Sequence, residues 1–404
     1  LTHKGGYSTV YCHLDRFSDK IQNHIKLIQY KKERYQVELF PSKNEFIIKK
    51  GEIIGYTGNT GSSGGPHLHF EIRDPQSRPL NPFNYGIEVS DNKPPRPTVL
   101  RWYPYKDYGL NTEIYGQNLS LTEVKPNEFL AQGITAFGLI GFGIGVYDQQ
   151  DGSSNKNGIY QIKTKLNDSL IQNIVFDRFS FKESKFMNRY IDYRHYSQKR
   201  QRVHKLFRAS NNPLGIIKNL QSEGLVMIES GTYTYRIELI DHAGNTTTIK
   251  VPIVGRQPKT DTTSQSQSTV IDTERDMQCL TKIPWSSATS WSDGYYSISF
   301  PRGCFYESTT LDLSVDSDIL HMDQDLYPVY KRIKITYSAN HLSREKLSHA
   351  YIARLNGSGI PTYENTSRVG NTLEAKVKTL GNYGVYFDET PPEVSLDKPS
   401  ENEW

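Results

Sequence analysis

The sequence has few cysteines and no long hydrophobic segment. Only 3 of its 404 residues are cysteine, and they form no Cys-x-x-Cys motif. Cys279 and Cys304 fall in one segment, where they could form a disulfide in an oxidising compartment or remain two buried thiols. No apolar run approaches the roughly 20 residues that cross a bilayer, so the sequence predicts no transmembrane segment.

The sequence also lacks a strong charge and an N-terminal leader. Its 48 lysines and arginines against 44 acidic residues give a net charge of +4. This excess is compatible with an anionic polymer as partner but is too weak to indicate nucleic-acid binding. The first residue is Leu1 rather than Met, and the first segment already has the pattern of a strand. We therefore expect a mature piece or a fragment, with a signal peptide upstream of Leu1.

The residues that are abundant favour strands and turns. The chain has 27 tyrosines and 16 phenylalanines, with 30 glycines and 20 prolines scattered between them. Aromatic residues favour strands, whereas glycine and proline favour turns. The length is enough for two to four domains. The predicted fold class is all-β: a small antiparallel sheet domain, partial in this chain, followed by β-sandwich-like (Ig-like) accessory domains.

Two proline-rich motifs and one polar segment indicate the domain boundaries. Asp91-Asn92-Lys93-Pro94-Pro95 is nearly repeated at Asp388-Glu389-Thr390-Pro391-Pro392, and an apolar run follows each copy. Such prolines fix an extended start for a module. The polar, low-complexity residues at 256–270 predict a linker. We therefore predict domains at 1–90, 91–255 and 271–387, and the start of a truncated module at 388–404.

Local patterns predict several elements within these domains. Residues 19–36 are polar and predict a connection or a short helix, whereas 37–40 and 45–48 predict short strands. The alternating residues 231–240, followed by a Gly-Asn turn and residues 246–251, predict a hairpin.

Two further features each leave more than one interpretation open. Residues 182–208 are rich in Lys, Arg, Tyr and His, and they could form a helical excursion, a basic loop that contacts an anionic partner, or a solvated surface segment. Asp148, Asp151 and Asn155 could bind a cation near a turn, or they could form a polar hairpin loop.

Two histidines follow a glycine-rich turn. In Gly64-Gly65-Pro66-His67-Leu68-His69-Phe70 the histidines are two residues apart, so on a strand they share one face. Leu68 and Phe70 are then expected to point into a core. Two imidazoles on a rigid strand suit a metal ligand and an acid/base partner. The alternative is a pair of surface histidines.

A third histidine lies on an earlier predicted strand. After the Gly5-Gly6 turn, Thr9, Tyr11 and His13 are expected on one face and Cys12 on the other. A hydrolytic zinc site needs three protein ligands and one open position for water. A neutral histidine nearby can then accept a proton or stabilise an oxyanion.

These motifs together resemble the lysostaphin/LytM-type zinc endopeptidases, which cut peptide cross-links in bacterial peptidoglycan. The resemblance covers residues 1–88 and rests on matching order, spacing and flanking residues. The matching motifs are Tyr11-Cys12-His13-Leu14, Lys50-Gly51-Glu52-Ile53-Ile54-Gly55-Tyr56-Thr57-Gly58-Asn59-Thr60-Gly61, and Gly65-Pro66-His67-Leu68-His69-Phe70-Glu71-Ile72-Arg73.

The resemblance implies roles for three residues. His69 corresponds to a zinc ligand, and His67 and His13 correspond to the catalytic histidines. The implied cofactor is Zn²⁺, and the implied partner is peptidoglycan in the cell envelope, periplasmic or extracellular, with other envelope proteins or hydrolases as possible partners. The family's usual Ala between Tyr and His is Cys12 here, which we expect to point away from the site.

One family motif is absent from the predicted peptidase domain. The family supplies two more zinc ligands from a His-x-x-x-Asp motif, but His3, His13 and His24 are followed four residues later by Tyr7, Phe17 and Ile28. We attribute this to truncation, and we expect the fragment by itself to be inactive. The alternative is a degenerate, non-catalytic homologue that binds cell wall or regulates hydrolases.

Overall fold

The structure, a computed structural model, describes residues 1–104, 115–257, 280–391 and 393. The chain forms two compact units. The first consists of Leu1–Ser90 together with Val175–Ser184, and the second contains the other described residues. The second stretch of the first unit was not part of the predicted domain at 1–90. The predicted boundaries between the later domains stay predictions, and most of the predicted linker, 258–270, lies outside the described residues.

The first unit contains two small antiparallel sheets. One has the strand order β1-β4-β5, and the other pairs β2 with β3. The predicted helix in 19–36 is present as α1. The elements are the 3₁₀ turn Lys4–Gly6, β1 (Ser8–Cys12), β2 (Leu14–Phe17), α1 (Asp19–Lys32), β3 (Gly55–Thr57), β4 (His69–Arg73), β5 (Pro79–Leu80) and the 3₁₀ turn Pro82–Tyr85.

The strands predicted at 37–40 and 45–48 are not formed. Phe40 and Ile47 are 85% and 64% exposed, and the segment joins no sheet of the described residues. Instead Glu45 closes a local turn by accepting hydrogen bonds from the backbone and hydroxyl of Ser42. A favourable strand composition does not produce a strand unless a neighbouring strand satisfies its backbone groups.

Val175–Ser184, the second stretch of the first unit, is joined to it by backbone hydrogen bonds. Asn81 donates its backbone N–H to the carbonyl of Asp177, and Phe179 donates to the carbonyl of Pro79. The guanidinium of Arg73 also lies over the ring of Phe181, 5.0 Å from its centroid. Residues distant in sequence therefore support the edge of the sheet that contains β4.

The second unit begins with two facing sheets that form a β-sandwich. The larger has the strand order β15-β13-β12-β17-β18-β9-β8 with β10 beside β18, and the smaller has the order β14-β11-β6-β7 with β16 beside β11. The strands are β6 (Arg96–Pro104), β7 (Gln117–Leu119), β8 (Leu121–Lys125), β9 (Glu128–Ala131), β10 (Ile134–Ala136), β11 (Gly138–Tyr147), β12 (Gln161–Leu166), β13 (Ser169–Val175), β14 (His204–Lys205), β15 (Ile217–Leu220), β16 (Val226–Ile228), β17 (Gly231–Ile240) and β18 (Thr246–Gly255).

Alternation in β17 and β18 builds the sandwich core. Tyr235, Ile237 and Leu239 are fully buried. The two strands pair from Gly231 opposite Gly255 to Ile240 opposite Thr246, which confirms the predicted hairpin. The Tyr235 ring stacks on Phe142 of β11 at a centroid distance of 4.2 Å, so aromatic packing joins the two sheets.

The glycines of β11 explain why this strand is buried on both faces. A Cβ on Gly141 would lie 2.6 Å from the Phe207 ring, and one on Gly143 would lie 2.9 Å from Val203. The intervening Phe142 faces the core. The glycines therefore make room for residues 203–207, and this Gly-x-Gly pattern serves packing.

The basic segment at 182–208 is a helical excursion. It contains the 3₁₀ turn Ser184–Phe186, α2 (Met187–Tyr190) and α3 (Tyr193–Lys199). Tyr190 is 1% exposed and His195 is 8% exposed. Burial of these side chains contradicts the alternative of a solvated surface segment.

The remainder of the second unit is another pair of facing sheets. Their strand orders are β19-β22-β23-β29-β25-β26 and β20-β21-β24-β28-β27. Between them lies a continuous apolar core that includes Tyr296, Phe300 and Tyr383. The elements are β19 (Leu280–Ile283), β20 (Thr289–Asp293), β21 (Tyr296–Phe300), β22 (Thr309–Asp316), β23 (Ile319–Met322), β24 (Ile333–Ser338), α4 (Arg344–His349), β25 (Ala350–Leu355), β26 (Pro361–Tyr363), β27 (Thr366–Val369), β28 (Thr372–Val377) and β29 (Gly381–Phe387); the 3₁₀ turn Ser222–Gly224 lies in the preceding sandwich.

The arrangement confirms the predicted all-β fold class. Antiparallel sheets dominate both units, and α1 is the longest helix of the described chain. Cys304 is a buried free thiol, and its suggested partner Cys279 lies outside the described residues. In the part of the chain that the structure describes, no helix is long and apolar enough to span a membrane.

Candidate active site

The three predicted histidines of the first unit lie together. The ring centroids of His13 and His67 are 4.7 Å apart, and those of His13 and His69 are 5.9 Å apart. His67 forms a single bridge with Gly58 just before β4, and His69 is the first residue of that strand. His67 and His69 are exposed and His13 is partly exposed, so the cluster is open to solvent.

A bend in the backbone brings His13 to the other two rings. In the β1–β4 register Tyr11 is opposite Phe70 and Cys12 is opposite His69, and directly opposite residues share a face. Continued alternation would therefore have placed His13 on the face away from His69. Instead His13 has φ of 60° and separates β1 from β2. The prediction that His13 shares the strand face of Thr9 and Tyr11 is wrong for this reason.

Two other expectations, for Cys12 and for Leu68, are also wrong. Cys12 was expected to point away from the site, but its position opposite His69 puts it on the face of that histidine. Leu68 was expected in a core, but it is 43% exposed. Leu68 precedes the regular part of β4, so strand alternation does not control its environment.

Backbone carbonyls fix the orientation of two of the rings. Nδ1 of His13 lies 2.8 Å from the carbonyl oxygen of Thr60, and Nδ1 of His67 lies 2.8 Å from that of Gly65. Because a carbonyl oxygen only accepts, each Nδ1 must carry the proton. In the neutral rings each Nε2 therefore keeps a free lone pair, and both rings can accept a proton there.

His69 is oriented by a carboxylate. Its Nε2 lies 2.7 Å from Oε1 of Glu71, and the other oxygen of Glu71 accepts a hydrogen bond from Nε of Arg73 at 2.6 Å. Nε2 of His69 therefore donates, which leaves the lone pair on Nδ1. Partial burial raises the pKa of Glu71, but hydrogen bonds and charge from Arg73 and His69 outweigh this and hold it below its ordinary value.

The Gly58–Gly61 turn holds the acceptor of His13 in position. The Thr60 hydroxyl donates to the carbonyl of Leu14 at 2.8 Å, so the turn is attached to the residue that follows His13. Close approach requires glycine at position 58, because a Cβ there would lie 2.5 Å from the backbone nitrogen of Asp15. The glycine-rich motif thus places the Thr60 carbonyl against the histidine cluster.

One residue of the cluster has the surroundings of a metal ligand. A metal-binding histidine usually donates its second ring N–H to a carboxylate or a carbonyl, and His69 does so to Glu71. The structure does not bring the two further zinc ligands that the resemblance implies to His69. Within the described ranges, the only group of three or more His, Cys, Asp or Glu ligand atoms within 4.8 Å of one another is Asp91, Asp148 and Asp241, in the second unit. The residues present fit one ligand of a zinc site and do not complete it.

Two supporting residues were not identified from the sequence alone. Glu71 orients His69, and Thr60 orients His13. The period of two that relates His67 to His69 also puts Glu71 on the same face, so strand alternation was a usable signal. No local pattern could reveal Thr60, because its contact with His13 spans 47 residues.

Comparisons with known proteins agree with this site. Residues 37–82 match peptidase family M23, and residues 281–388 match the Zu5-like domain. A 91-residue stretch is 31% identical to DD-carboxypeptidase/endopeptidase Mpg from Neisseria meningitidis and Neisseria gonorrhoeae. The match covers 22% of this chain and 15% of those relatives.

The predicted resemblance of the N-terminal segment to lysostaphin/LytM-type peptidases is thereby confirmed. The Zu5-like match was not anticipated from the sequence, where residues 271–387 were described only as a β-rich domain.

Proposed function

We propose that the first unit carries part of the active site of a zinc-dependent endopeptidase that hydrolyses peptide cross-links of bacterial peptidoglycan. The observation that carries this proposal is the convergence of His13, His67 and His69, with the first two rings held so that each Nε2 is free. The peptidase family match and the relatives named for carboxypeptidase and endopeptidase activity support it.

In this proposal each residue has a separate role. His69 is a zinc ligand through Nδ1, with Glu71 as its orienting carboxylate. Zinc, when bound, lowers the pKa of its water to about 7 and polarises a carbonyl group. Nε2 of His67 and of His13 would assist the transfer of one proton from the attacking water to the leaving amine, and a protonated ring would donate a hydrogen bond to the oxyanion.

The proposed setting is the cell envelope, periplasmic or extracellular. The accessory β domains, proposed as Ig-like, would position or tether the peptidase at peptidoglycan and contact envelope or hydrolase partners. The mild net charge of +4 is compatible with an anionic polymer.

A second candidate is a degenerate, non-catalytic cell-wall-binding or hydrolase-regulating protein. It is favoured by the absence of a three-ligand zinc set that includes His69 among the described residues. With a single ligand, the 404-residue chain alone is expected to bind zinc weakly and to leave peptidoglycan uncut.

The test separates the two candidates. The gene sequence preceding Leu1 is read for a His-x-x-x-Asp motif, and the whole gene product is assayed for zinc content and for cleavage of purified peptidoglycan. His69→Ala is expected to lose zinc and activity, whereas His13→Ala and His67→Ala lose activity and keep zinc. His3→Ala is the matched control, because the His3 ring forms a hydrogen bond with Thr9 and does not belong to the cluster. Wild-type cleavage by the His69 variant, or a whole gene without the motif, would refute the enzyme.

A further inference from the structure

Three carboxylates meet at one end of the sandwich in the second unit. Oxygens of Asp91, Asp148 and Asp241 all lie within 4.8 Å of one another. Asp91 precedes β6, Asp148 follows β11 by one residue, and Asp241 follows β17 by one residue. The fold therefore brings the acidic groups of three separate segments to one point.

Protein groups hold two of the three carboxylates. Asp241 accepts hydrogen bonds from the backbone N–H of Asn245 at 2.9 Å and from its side-chain amide at 2.8 Å. The same amide donates to the carbonyl of Asp91 at 3.0 Å, and Oδ1 of Asp91 accepts from the backbone N–H of Lys93 at 3.1 Å. These contacts fix the positions of Asp91 and Asp241 before any ligand arrives.

The third carboxylate faces the other two and is buried without a partner for one oxygen. Asp148 is 6% exposed, and its Oδ1 has no hydrogen-bond partner within the described residues. An unpaired buried carboxylate oxygen costs free energy unless it binds a donor or a cation. This unpaired oxygen is a second feature besides the acidic cluster, and a bound cation would satisfy it.

The cluster has no lysine or arginine ion pair within the described residues. The charge of Lys93 acts on Asp91, but its ammonium donates to the carbonyls of Gln150 and Ser153 at 2.9 and 3.4 Å. Burial, followed by the charges of Asp241 and Asp91, raises the pKa of Asp148 to about 6 despite a hydrogen bond from the backbone of Gln149.

The ligand set indicates the kind of cation. Carboxylate oxygens favour hard cations such as calcium, whereas zinc favours nitrogen and sulfur. At Ca–O distances of about 2.4 Å, opposed ligands of one ion are about 4.8 Å apart. The three oxygens, all within 4.8 Å of one another, are therefore near the separations of ligands that share one calcium ion. Water and carbonyl oxygens commonly complete such a shell.

We propose that Asp91, Asp148 and Asp241 form a calcium-binding site that fastens the start of the second unit to its sandwich. The ion joins the segment before β6 to the ends of β11 and β17. This site is separate from the proposed peptidase chemistry, and its calcium affinity does not depend on zinc or on His69. Asp151, suggested with Asp148 from the sequence, is not a member of the ligand group, and the suggested role of Asn155 stays a prediction.

The test is calcium titration of the chelator-treated 404-residue chain. Calorimetry is expected to show one calcium ion per chain with a dissociation constant below about 1 mM, the range of extracellular modules. Saturating calcium is expected to raise the melting temperature by several degrees, roughly as mass action predicts. Absence of saturable binding up to about 10 mM, ten times the weakest constant usual for such modules, would overturn the proposal.

Two variants test the ligands, and one tests the measurement. Asp148→Asn is expected to weaken calcium binding by at least about tenfold, since affinity follows ligand charge, and to raise the melting temperature of the calcium-free protein by removing a buried repulsion. Asp91→Asn is expected to weaken binding similarly, because it also removes a ligand charge. The local fold should be kept, since an asparagine oxygen can still accept the hydrogen bond from the backbone N–H of Lys93. Asp293→Asn, an exposed aspartate in another hairpin, is the matched control. Undiminished binding by both ligand variants would refute the assignment, even where the wild type binds calcium.

Discussion

Replacing Gly58 with alanine should disturb both the packing of β3 on β2 and the orientation of His13. The new Cβ would lie 2.5 Å from the nitrogen and 2.7 Å from the Cα of Asp15. These are backbone atoms, so the turn itself must move by roughly 1 Å to reach ordinary contact. The hydrogen bond of 2.8 Å between His13 and Thr60 would then exceed bonding distance.

The expected loss of stability follows from overpacking. Forcing an extra methyl group into a packed position costs about 1–3 kcal/mol, and each kcal/mol lowers the melting temperature of a domain of 60–100 residues by roughly 4–8 °C. Gly64→Ala is the matched control, because a Cβ at Gly64 meets nothing within 4 Å and its φ is not in the left-handed region. That variant should be neutral or slightly stabilising.

Two measurements check this prediction. Thermal unfolding compares the two variants, and nitrogen chemical shifts of the imidazole report whether Nδ1 of His13 still carries the proton. We expect Gly58→Ala to lower the melting temperature and to mix the His13 tautomers, while Gly64→Ala does neither. If the two variants had equal melting temperatures and an unchanged His13 ring, the argument from close packing would be refuted.

Two other predictions concern titratable groups. Glu71 has a lowered pKa, so its contacts with Arg73 and His69 contribute stability above the ordinary carboxyl pKa of about 4.3, and this contribution is lost as pH falls through the lower folded value. Glu71→Gln should therefore lose less melting temperature than the wild type between pH 6 and pH 3, roughly the range around that pKa. An equal loss in both proteins would contradict the pairing. Burial raises the pKa of the Cys304 thiol to about 11, and the residue is 1% exposed. Cys304 should resist iodoacetamide in the native protein and react after unfolding, as mass spectrometry of tryptic peptides would report. Native labelling as fast as in denaturant would disprove its burial.

The fold class, the central hairpin and the histidine cluster could be predicted from the sequence, because they depend on the local order of residues. Strand-favouring residues and regular turns predicted the all-β fold class, and the alternation of 231–240 predicted the central hairpin of the sandwich. The spacing of His67 and His69, with the motif around His13, predicted which histidines meet. These features are encoded within short stretches, because strand period, turn conformation and motif spacing are properties of neighbouring residues.

Tertiary structure alone decided the features that depend on partners far along the chain. His13 has a left-handed backbone conformation and so does not lie on the predicted strand face. The exposed residues near 37–48 form no strand, because no neighbouring strand pairs with them. The sequence suggested Asp148 for a cation site near a turn or for a polar hairpin loop, but Asp91 and Asp241, which it meets in the structure, lie 57 and 93 residues away. Burial and proximity arise when the sheets pack, so the charge of this cluster and the orientation of the histidines could not be obtained from local sequence.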